Sequence, residues 1–219
     1  MPKSRAATKP AVTPGPRSTK GSRTRERLVE AAKEIFEERG FLDARITDIS
    51  ERAGQAHGSF YYYFDSKEEI FREVAAAVDE RLFAPLDDVI LAPSGLPVEQ
   101  RVREATRRHL ESYRREARML GLIEHVSRID PEVNALRLQR HKQYTEQVAG
   151  TIRQLQRKKL ADPALDPLIA AAALGALSYR FAEMWLVHGA IECSMDQAVD
   201  QLTQLFINAM RLRDGKAKS

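Results

Sequence analysis

Apolar residues recur with the period of an α-helix along most of the chain after residue 20. In the first such segment Leu28, Ala31, Ala32, Ile35 and Phe36 lie at i, i+3, i+4, i+7 and i+8. This spacing places them on one face of a helix. Because no run alternates between apolar and polar residues long enough to indicate a strand, the chain is predicted to be all-α.

Capping residues predict the ends of the N-terminal helices. Ser22 is a candidate N-cap of the first helix, and Gly40 suits its left-handed stop. A second short helix, from Ile46 to Ala53, is expected to use Thr47 as its cap and to end at Gly54. The segment from Gly54 to Phe64 supplies a third helix. The fourth opens with an S-x-x-E capping box at Ser66 and has one apolar face, formed by Ile70, Val74, Ala77, Val78 and Leu82.

The rest of the chain is predicted to form longer helices. Pro85 is expected to end or bend the fourth helix, and prolines and a second capping box, at Ser194 and Gln197, mark later starts. The predicted segments are Pro97 to Arg115, Ala117 to Ile129, Pro131 to Leu160, Leu168 to His188 and Ser194 to Arg213.

The net charge of +4 is concentrated at the N-terminus, where the first 25 residues carry seven basic side chains and no acidic one. Residues 1–20, rich in Pro, Ser, Thr and Ala, are predicted to be a disordered arm, and residues 214–219 a disordered tail. Three roles of the arm stay open: contact with DNA phosphates or a minor groove, a solvated tail, or a targeting sequence.

Other compositional features narrow the class of protein. A single cysteine, Cys193, excludes an intramolecular disulfide framework and favours a reducing, cytoplasmic setting. The longest uncharged apolar stretch, from Leu168 to Tyr179, is too short to cross a bilayer. The five histidines match no metal or catalytic motif, so neither a metal, a cofactor nor an enzymatic activity is expected.

Three adjacent tyrosines, Tyr61 to Tyr63, stand between Phe60 and Phe64. On a helical wheel the two phenylalanines share one face, Ser59, Tyr62 and Tyr63 occupy the opposite arc, and Tyr61 lies to the side. A short helix that follows a glycine turn and presents Ser, Tyr and His suits the recognition helix of a helix-turn-helix. The alternative is an ordinary surface with half-packed tyrosines.

Four motifs occur in order in this region: A-x-x-x-F-x-x-x-G-[FY] from Ala32, I-x-x-x-A-G from Ile49, G-[ST]-[FL]-Y-x-[YH]-F from Gly58, and S-K-E-x-[IL] from Ser66. With them, the stretch from Thr24 to Phe71 resembles the N-terminal domain of the tetracycline-repressor (TetR) family of bacterial transcription regulators. The resemblance implies a DNA-binding unit over residues 21–67, a helical ligand-binding and dimerisation domain over residues 68–213, and repression that a ligand relieves.

The resemblance also implies roles for individual side chains. It places Thr47, Tyr61, Tyr63 and Lys67 on DNA phosphates, and His57, Ser59 and Tyr62 against base edges. Gln55 departs from the family, which usually has a buried aliphatic residue there; its side chain is either a groove contact or, as we favour, solvated.

The chain is therefore predicted to be a homodimeric repressor that binds an inverted-repeat operator in double-stranded DNA and is released by a small hydrophobic effector. The candidates to orient the effector are residues with an apolar body and one hydrogen-bonding group: Tyr113, His125, Tyr144, Tyr179 and Trp185. Simple packing or exposure of these side chains is the alternative. The competing function is a helical small-molecule or lipid-binding protein with a degenerate DNA-binding head, with an enzyme third.

Overall fold

The computed structural model describes residues 19–83, 87–91 and 95–213, and all regular structure within these ranges is helical. The elements are α1 (Thr19–Asp43), α2 (Ile46–Arg52), α3 (His57–Phe60), α4 (Lys67–Leu82), α5 (Asp87–Ile90), α6 (Val98–Ser127), α7 (Pro131–Arg157), α8 (Pro167–Ala182) with a π-helical segment (Glu183–Val187), and α9 (Met195–Met210). The predicted all-α class is confirmed. The arm up to residue 18, Pro85 and the tail at 214–219 lie outside the described residues.

Two N-terminal capping predictions were wrong. Helix α1 begins before Ser22, whose hydroxyl donates to the Glu26 carboxylate one turn later at 2.9 Å. Helix α2 has Arg45 rather than Thr47 at its N-cap, so Thr47 lies within the first turn. The predicted stop at Gly40 is confirmed, because this residue has φ of 76° and interrupts the helical backbone.

The C-terminal helices are longer and less divided than predicted. One helix, α6, replaces the two predicted from Pro97 to Ile129. No glycine or proline interrupts residues 114–118, and buried Tyr113, Glu116 and Met119 continue the inward face across the expected break. The predicted helix from Leu168 to His188 instead changes to π-helical geometry after Ala182.

The predicted N-cap of α4 and the predicted capping box of the last helix are confirmed. The Ser66 hydroxyl accepts from the backbone N–H of Glu69 at 3.1 Å, but the Glu69 carboxylate accepts from the backbone N–H of Asp65 rather than from that of Ser66. Ser194 and Gln197 form a reciprocal capping box at the start of α9. Both helices therefore begin where the sequence places them.

The DNA-binding region and the C-terminal helices share one continuous apolar core. Phe36 of α1, Phe60 of α3 and Phe71 of α4 are buried in it together with Tyr113 and Met119 of α6. A second cluster joins the start of α6 to the C-terminal part of α7 and the end of α9. Since α4 and α6 contribute to the first cluster, a movement in the C-terminal region can reach the N-terminal helices through packed side chains.

Candidate DNA-binding face and ligand cavity

Helices α2 and α3 are joined by a tight turn at Gly54, which has φ of 64°. The backbone N–H of Gln55 donates to the Ser50 carbonyl at 2.9 Å, closing the turn. The Gln55 side chain, half-buried, donates to the Gly54 carbonyl at 3.1 Å. Two short helices joined by a three- to four-residue turn with a glycine are the arrangement of a helix-turn-helix.

Helix α3 is a single turn, and the tyrosines follow it as a turn at residues 61–63. Phe60 and Phe64 are fully buried, as the helical wheel predicts, whereas Tyr61 and Tyr62 are 52% and 73% exposed. The wheel was wrong for Tyr63, which is half-buried and packs against the core. The chain leaves the helix after Phe60, so the wheel no longer describes the directions of these side chains.

Three other side chains predicted to meet DNA lie on α2 and α3. Thr47 and His57 are exposed and Ser59 is half-buried. The imidazole of His57 meets the edge of the Tyr61 ring, with ring centroids 5.5 Å apart. Helices α2 and α3 therefore expose hydroxyl and imidazole groups that can donate or accept hydrogen bonds.

Lys67 has an intramolecular role that the sequence did not indicate. Its Nζ donates to the carbonyl oxygens of Leu42 and Ala44 at 3.0 and 3.1 Å, and it lies 4.8 Å from the centroid of the Phe41 ring. The first residue of α4 is thus fastened to the end of α1. An ammonium group has three donors, and these two carbonyl oxygens engage two of them.

Arg45 is a site residue that the sequence analysis missed. It is exposed at the N-terminus of α2, and its side chain has no ion pair or hydrogen bond with any residue in the described ranges. Neighbouring arginines differ: Arg39 pairs with Asp48, and Arg52 bonds Glu34 and Glu38 at 2.8 and 2.9 Å. The sequence feature that could have revealed Arg45 is its place next to the start of a helix, where backbone N–H groups already favour an anion.

A cavity of about 460 Å³ lies among the C-terminal helices. Its wall is mostly aliphatic and aromatic, and its residues include Phe83, Ile90, Val102, His109, Arg137, His141, Tyr144, Ile152, Leu155, Tyr179, Phe206 and Met210. Helices α5 to α9 all supply side chains to this wall, and Phe83, which follows α4, completes it. Such a volume and lining suit a small, largely apolar molecule.

Two of the five predicted effector residues, Tyr144 and Tyr179, lie on the cavity wall. Tyr113 is buried behind it and hydrogen bonds with Tyr179; burial raises the pKa of both phenols, that of Tyr179 to about 12. His125 is exposed, and Trp185 packs on Phe181 with centroids 5.8 Å apart. The structure does not place these last two residues, or Tyr113, on the wall.

The C-terminal end of α4 meets this cavity. Phe83, the C-cap of α4, lies on the wall and packs against Tyr144 and His141, with ring centroids 4.6 and 5.3 Å apart. His109 of α6 hydrogen bonds to the backbone of Leu82, the last residue of α4. Helix α4 therefore connects the cavity, at its end, with the Lys67 contacts to α1, at its start.

A buried carboxylate joins α6 to both N-terminal helices that contact it. Glu116 accepts from Arg81 of α4 at 2.6 Å and lies 3.4 Å from Nζ of Lys33 of α1. Four residues earlier on α6, the Ser112 hydroxyl donates to the Arg81 carbonyl at 2.8 Å. Three helices thus meet at one charged group.

Helices α8 and α9 expose apolar surface away from the cavity. Ile169, Ala173 and Leu177 recur every four residues along α8, and all three are exposed, Ile169 to 70%. On α9 Leu205 and Ala209 have the same spacing and are exposed. We refer to Ile169, Ala173 and Leu177 as the α8 stripe. At 100° per residue this stripe lies opposite Ala171, Leu174 and Ser178, which line the cavity.

No helix in the described part of the chain is long and apolar enough to span a membrane. The same residues contain no group of three or more histidine, cysteine or acidic side chains that could hold a metal ion.

Comparisons with known proteins agree with this geometry. Residues 28–74 match the family model of bacterial regulatory proteins of the tetR family. The uncharacterized HTH-type transcriptional regulator YdgC of Bacillus subtilis is 41% identical over 81 residues, which are 37% of this chain and 41% of YdgC. The HTH-type transcriptional regulator UidR of Escherichia coli K12 is 28% identical over 162 residues, 74% of this chain and 81% of UidR.

The crystal structure of a TetR-family transcriptional regulator from Mesorhizobium loti superposes with a TM-score of 0.76 at 20% identity, covering 88% of this chain and 98% of that one. At this identity the likeness shows the shared fold. Together, the α2–turn–α3 unit and the helical region behind it define a helix-turn-helix DNA-binding transcription regulator. Residues 28–74 form a DNA-binding domain of the TetR family of bacterial transcription regulators, and the chain as a whole has the fold of a TetR-family regulator. The alternative of a degenerate DNA-binding head is not favoured.

Proposed function

We propose that this protein is a homodimeric repressor that binds an inverted-repeat operator and is released when a small hydrophobic effector occupies the cavity. One observation carries the proposal: α4 holds the end of α1 through Lys67 and borders the cavity through Phe83. A molecule that fits one position of Phe83 better than another shifts the population of α4 positions. The position of the DNA-binding unit, which α4 holds through α1, then shifts as well.

The DNA contacts in this proposal come from the exposed groups of α2, α3 and the tyrosine turn. Thr47, Tyr61, Tyr63 and the remaining donor of Lys67 contact phosphates, and Arg45 adds a full charge beside them. His57, Ser59 and Tyr62 meet base edges in the major groove. The exposure of Tyr62, together with its place after the recognition helix, supports its role there.

Dimerisation is proposed through α8 and α9. A partner chain that covers Ile169, Ala173 and Leu177 on α8 and Leu205 on α9 removes from water the apolar surface that a monomer leaves exposed. Two copies about a two-fold axis then present their heads to half-sites one helical turn, or a multiple of it, apart.

The effector is proposed to be largely apolar, because aliphatic and aromatic side chains dominate the cavity wall. Tyr144 and Tyr179 orient it. Tyr144 also packs on Phe83, so a ligand that displaces this ring changes a contact of α4 directly.

The experiment is a fluorescence-anisotropy titration of DNA from upstream of the protein's own gene, at moderate and high salt, with and without a library of apolar compounds. We expect tight binding to one palindromic segment and release by at least one compound. Binding equal to that of scrambled DNA at both salt concentrations contradicts the proposal. A compound that strengthens binding identifies ligand-promoted, rather than ligand-released, regulation. A reporter gene placed behind the operator then distinguishes repression from activation.

A further inference from the structure

Two hydrogen-bonding atoms on the cavity residues have no partner. Among the described residues, four buried side-chain nitrogen or oxygen atoms lack a hydrogen bond, and two of them are Nδ1 of His109 and Nε of Arg137. Hydroxyls on the same wall are satisfied: Thr106 donates to the Val102 carbonyl and Thr145 to the His141 carbonyl, each at 2.8 Å. Buried polar atoms rarely stay unpaired, because leaving water without a new partner is costly.

The proton on His109 is placed by its other contact. The ring hydrogen bonds to the backbone of Leu82, and Nδ1 is the nitrogen without a partner, so the bond is made by Nε2. A carbonyl can only accept, so Nε2 carries the proton. Burial lowers the pKa of the imidazole to about 4, so the ring is neutral near pH 7 and Nδ1 keeps a free lone pair.

Arg137 offers the complementary group. Its Nη1 is paired with the Glu124 carboxylate at 2.8 Å, which offsets the positive charge, while Nε–H remains a donor. The two unpartnered atoms are therefore one acceptor and one donor, carried by two residues of a largely apolar wall. A hydroxyl group can satisfy either atom, by donating its hydrogen to Nδ1 or by accepting at its oxygen from the Nε–H.

We infer that Nδ1 of His109 accepts a hydrogen bond from the effector, so that the effector class is an apolar molecule bearing a hydroxyl or N–H donor. This deepens the proposed function and rests on it. A ligand with only ether or hydrocarbon groups leaves Nδ1 unpaired and binds less tightly.

The same hydrogen bond reaches α4. When Nδ1 accepts a proton donor, the ring becomes more polarised and its Nε2–H donates more strongly, since linked hydrogen bonds reinforce one another. The acceptor of that bond is the carbonyl of the last residue of α4. A donor group on the ligand therefore strengthens, through His109, a hydrogen bond to α4, the helix that contacts the end of α1.

The test uses the full-length protein and matched pairs of probes: naphthol and its methyl ether, and decanol and its methyl ether. Binding is measured by calorimetry, and operator affinity by anisotropy. The variant is His109→Phe, which keeps a planar ring but has neither an acceptor in the position of Nδ1 nor a donor for the Leu82 carbonyl. The matched control is His125→Phe, the same change at an exposed position on the same helix.

In the wild type and in His125→Phe we expect each alcohol to bind about tenfold more tightly than its ether, and in His109→Phe we expect this preference to disappear. Melting temperatures show whether both variants fold. Equal affinity of alcohol and ether in the wild type, with operator release by both, overturns the role of His109 and leaves the proposed function intact. No binding of any probe overturns both.

Discussion

Nζ of Lys67 lies 3.0 Å from the carbonyl oxygen of Leu42, so a lysine at the start of α4 closes the end of α1. Lys67→Ala removes this bond and the one to Ala44 as well as the proposed phosphate contact. We expect a loss of about 1 kcal/mol in unfolding free energy, together with weaker binding to all DNA sequences. Urea unfolding and salt-dependent anisotropy measure the two effects.

Arg45 provides the matched comparison, because it is exposed and its side chain forms no ion pair or hydrogen bond within the described residues. Arg45→Ala should leave stability unchanged and lower the slope of log affinity against log salt by about one unit. An unchanged slope in this variant would show that Arg45 does not contact DNA phosphates.

The three tyrosines should differ in what their hydroxyls do. Tyr62→Phe removes a hydroxyl from the most exposed ring of the three, and we expect it to alter the preference between operator variants by about 1–3 kcal/mol. Tyr61→Phe and Tyr63→Phe should weaken all operators alike, since their proposed partners are phosphates. Equal losses of affinity on every operator for Tyr62→Phe would indicate that Tyr62 contacts a phosphate and not a base.

Glu116 should matter for both stability and ligand response. Glu116→Gln leaves Arg81 and Lys33 without their shared carboxylate, and because Arg81 is partly exposed we expect a loss of about 1–2 kcal/mol. It should also weaken the effect of ligand on operator affinity. Glu104→Gln, which breaks an exposed pair with Arg108 on the same helix, is the control and should change neither quantity. A full ligand response in Glu116→Gln would show that coupling bypasses this carboxylate.

Two buried groups should make opposite contributions to the pH dependence of stability. Burial raises the pKa of Asp79 from 3.8 to about 6, so the folded state binds this proton more tightly and loses stability as the pH rises through that range. Burial lowers the pKa of His109 from 6.5 to about 4, so its contribution is present above 6.5 and is lost as the pH falls through 4. Each contribution is roughly 3 kcal/mol.

In the wild type these contributions largely cancel between pH 4.5 and 7.5. Asp79→Asn removes one of them, so its unfolding free energy should rise with pH in that interval, and the variant should be the more stable protein at pH 7.5. His141, whose pKa burial also lowers, adds to the rise. Urea unfolding at several pH values tests this, and parallel curves for the wild type and the variant would contradict it.

The α8 stripe should determine the oligomeric state. Leu177→Glu places a charge among the exposed apolar residues of α8, and we expect a shift from dimer to monomer at micromolar concentration in sedimentation equilibrium. Ile129→Glu, at an exposed residue after α6, is the control and should remain dimeric. A wild-type protein that sediments as a monomer would exclude this interface.

The sequence predicts most of the helices because capping boxes and glycine stops are local signals. Ser66, Ser194 and Gly40 act where they were expected to act. The wrong predictions involve features that depend on tertiary contacts: the unbroken α6 is held by burial of its inward face, and Tyr63 packs on the core after the chain has left α3.

The site was predictable to a similar degree. Exposure of Tyr62 follows from the positions of Phe60 and Phe64, whereas the cavity wall depends on how α6, α7 and α8 meet, which no local pattern reveals. His125 and His109 are both histidines on α6, and only packing distinguishes the exposed one from the one beside the cavity.

The narrow, alanine-rich helix α8 has a consequence for how the protein responds to its own abundance. One side lines the cavity and the other carries the stripe proposed to meet a second copy, with only one helix diameter between them. An effector that favours one position of α8 therefore changes the dimer affinity, and by reciprocity dimerisation changes the effector affinity by the same factor. The dose of effector that frees an operator then depends on how many copies of the regulator the cell makes.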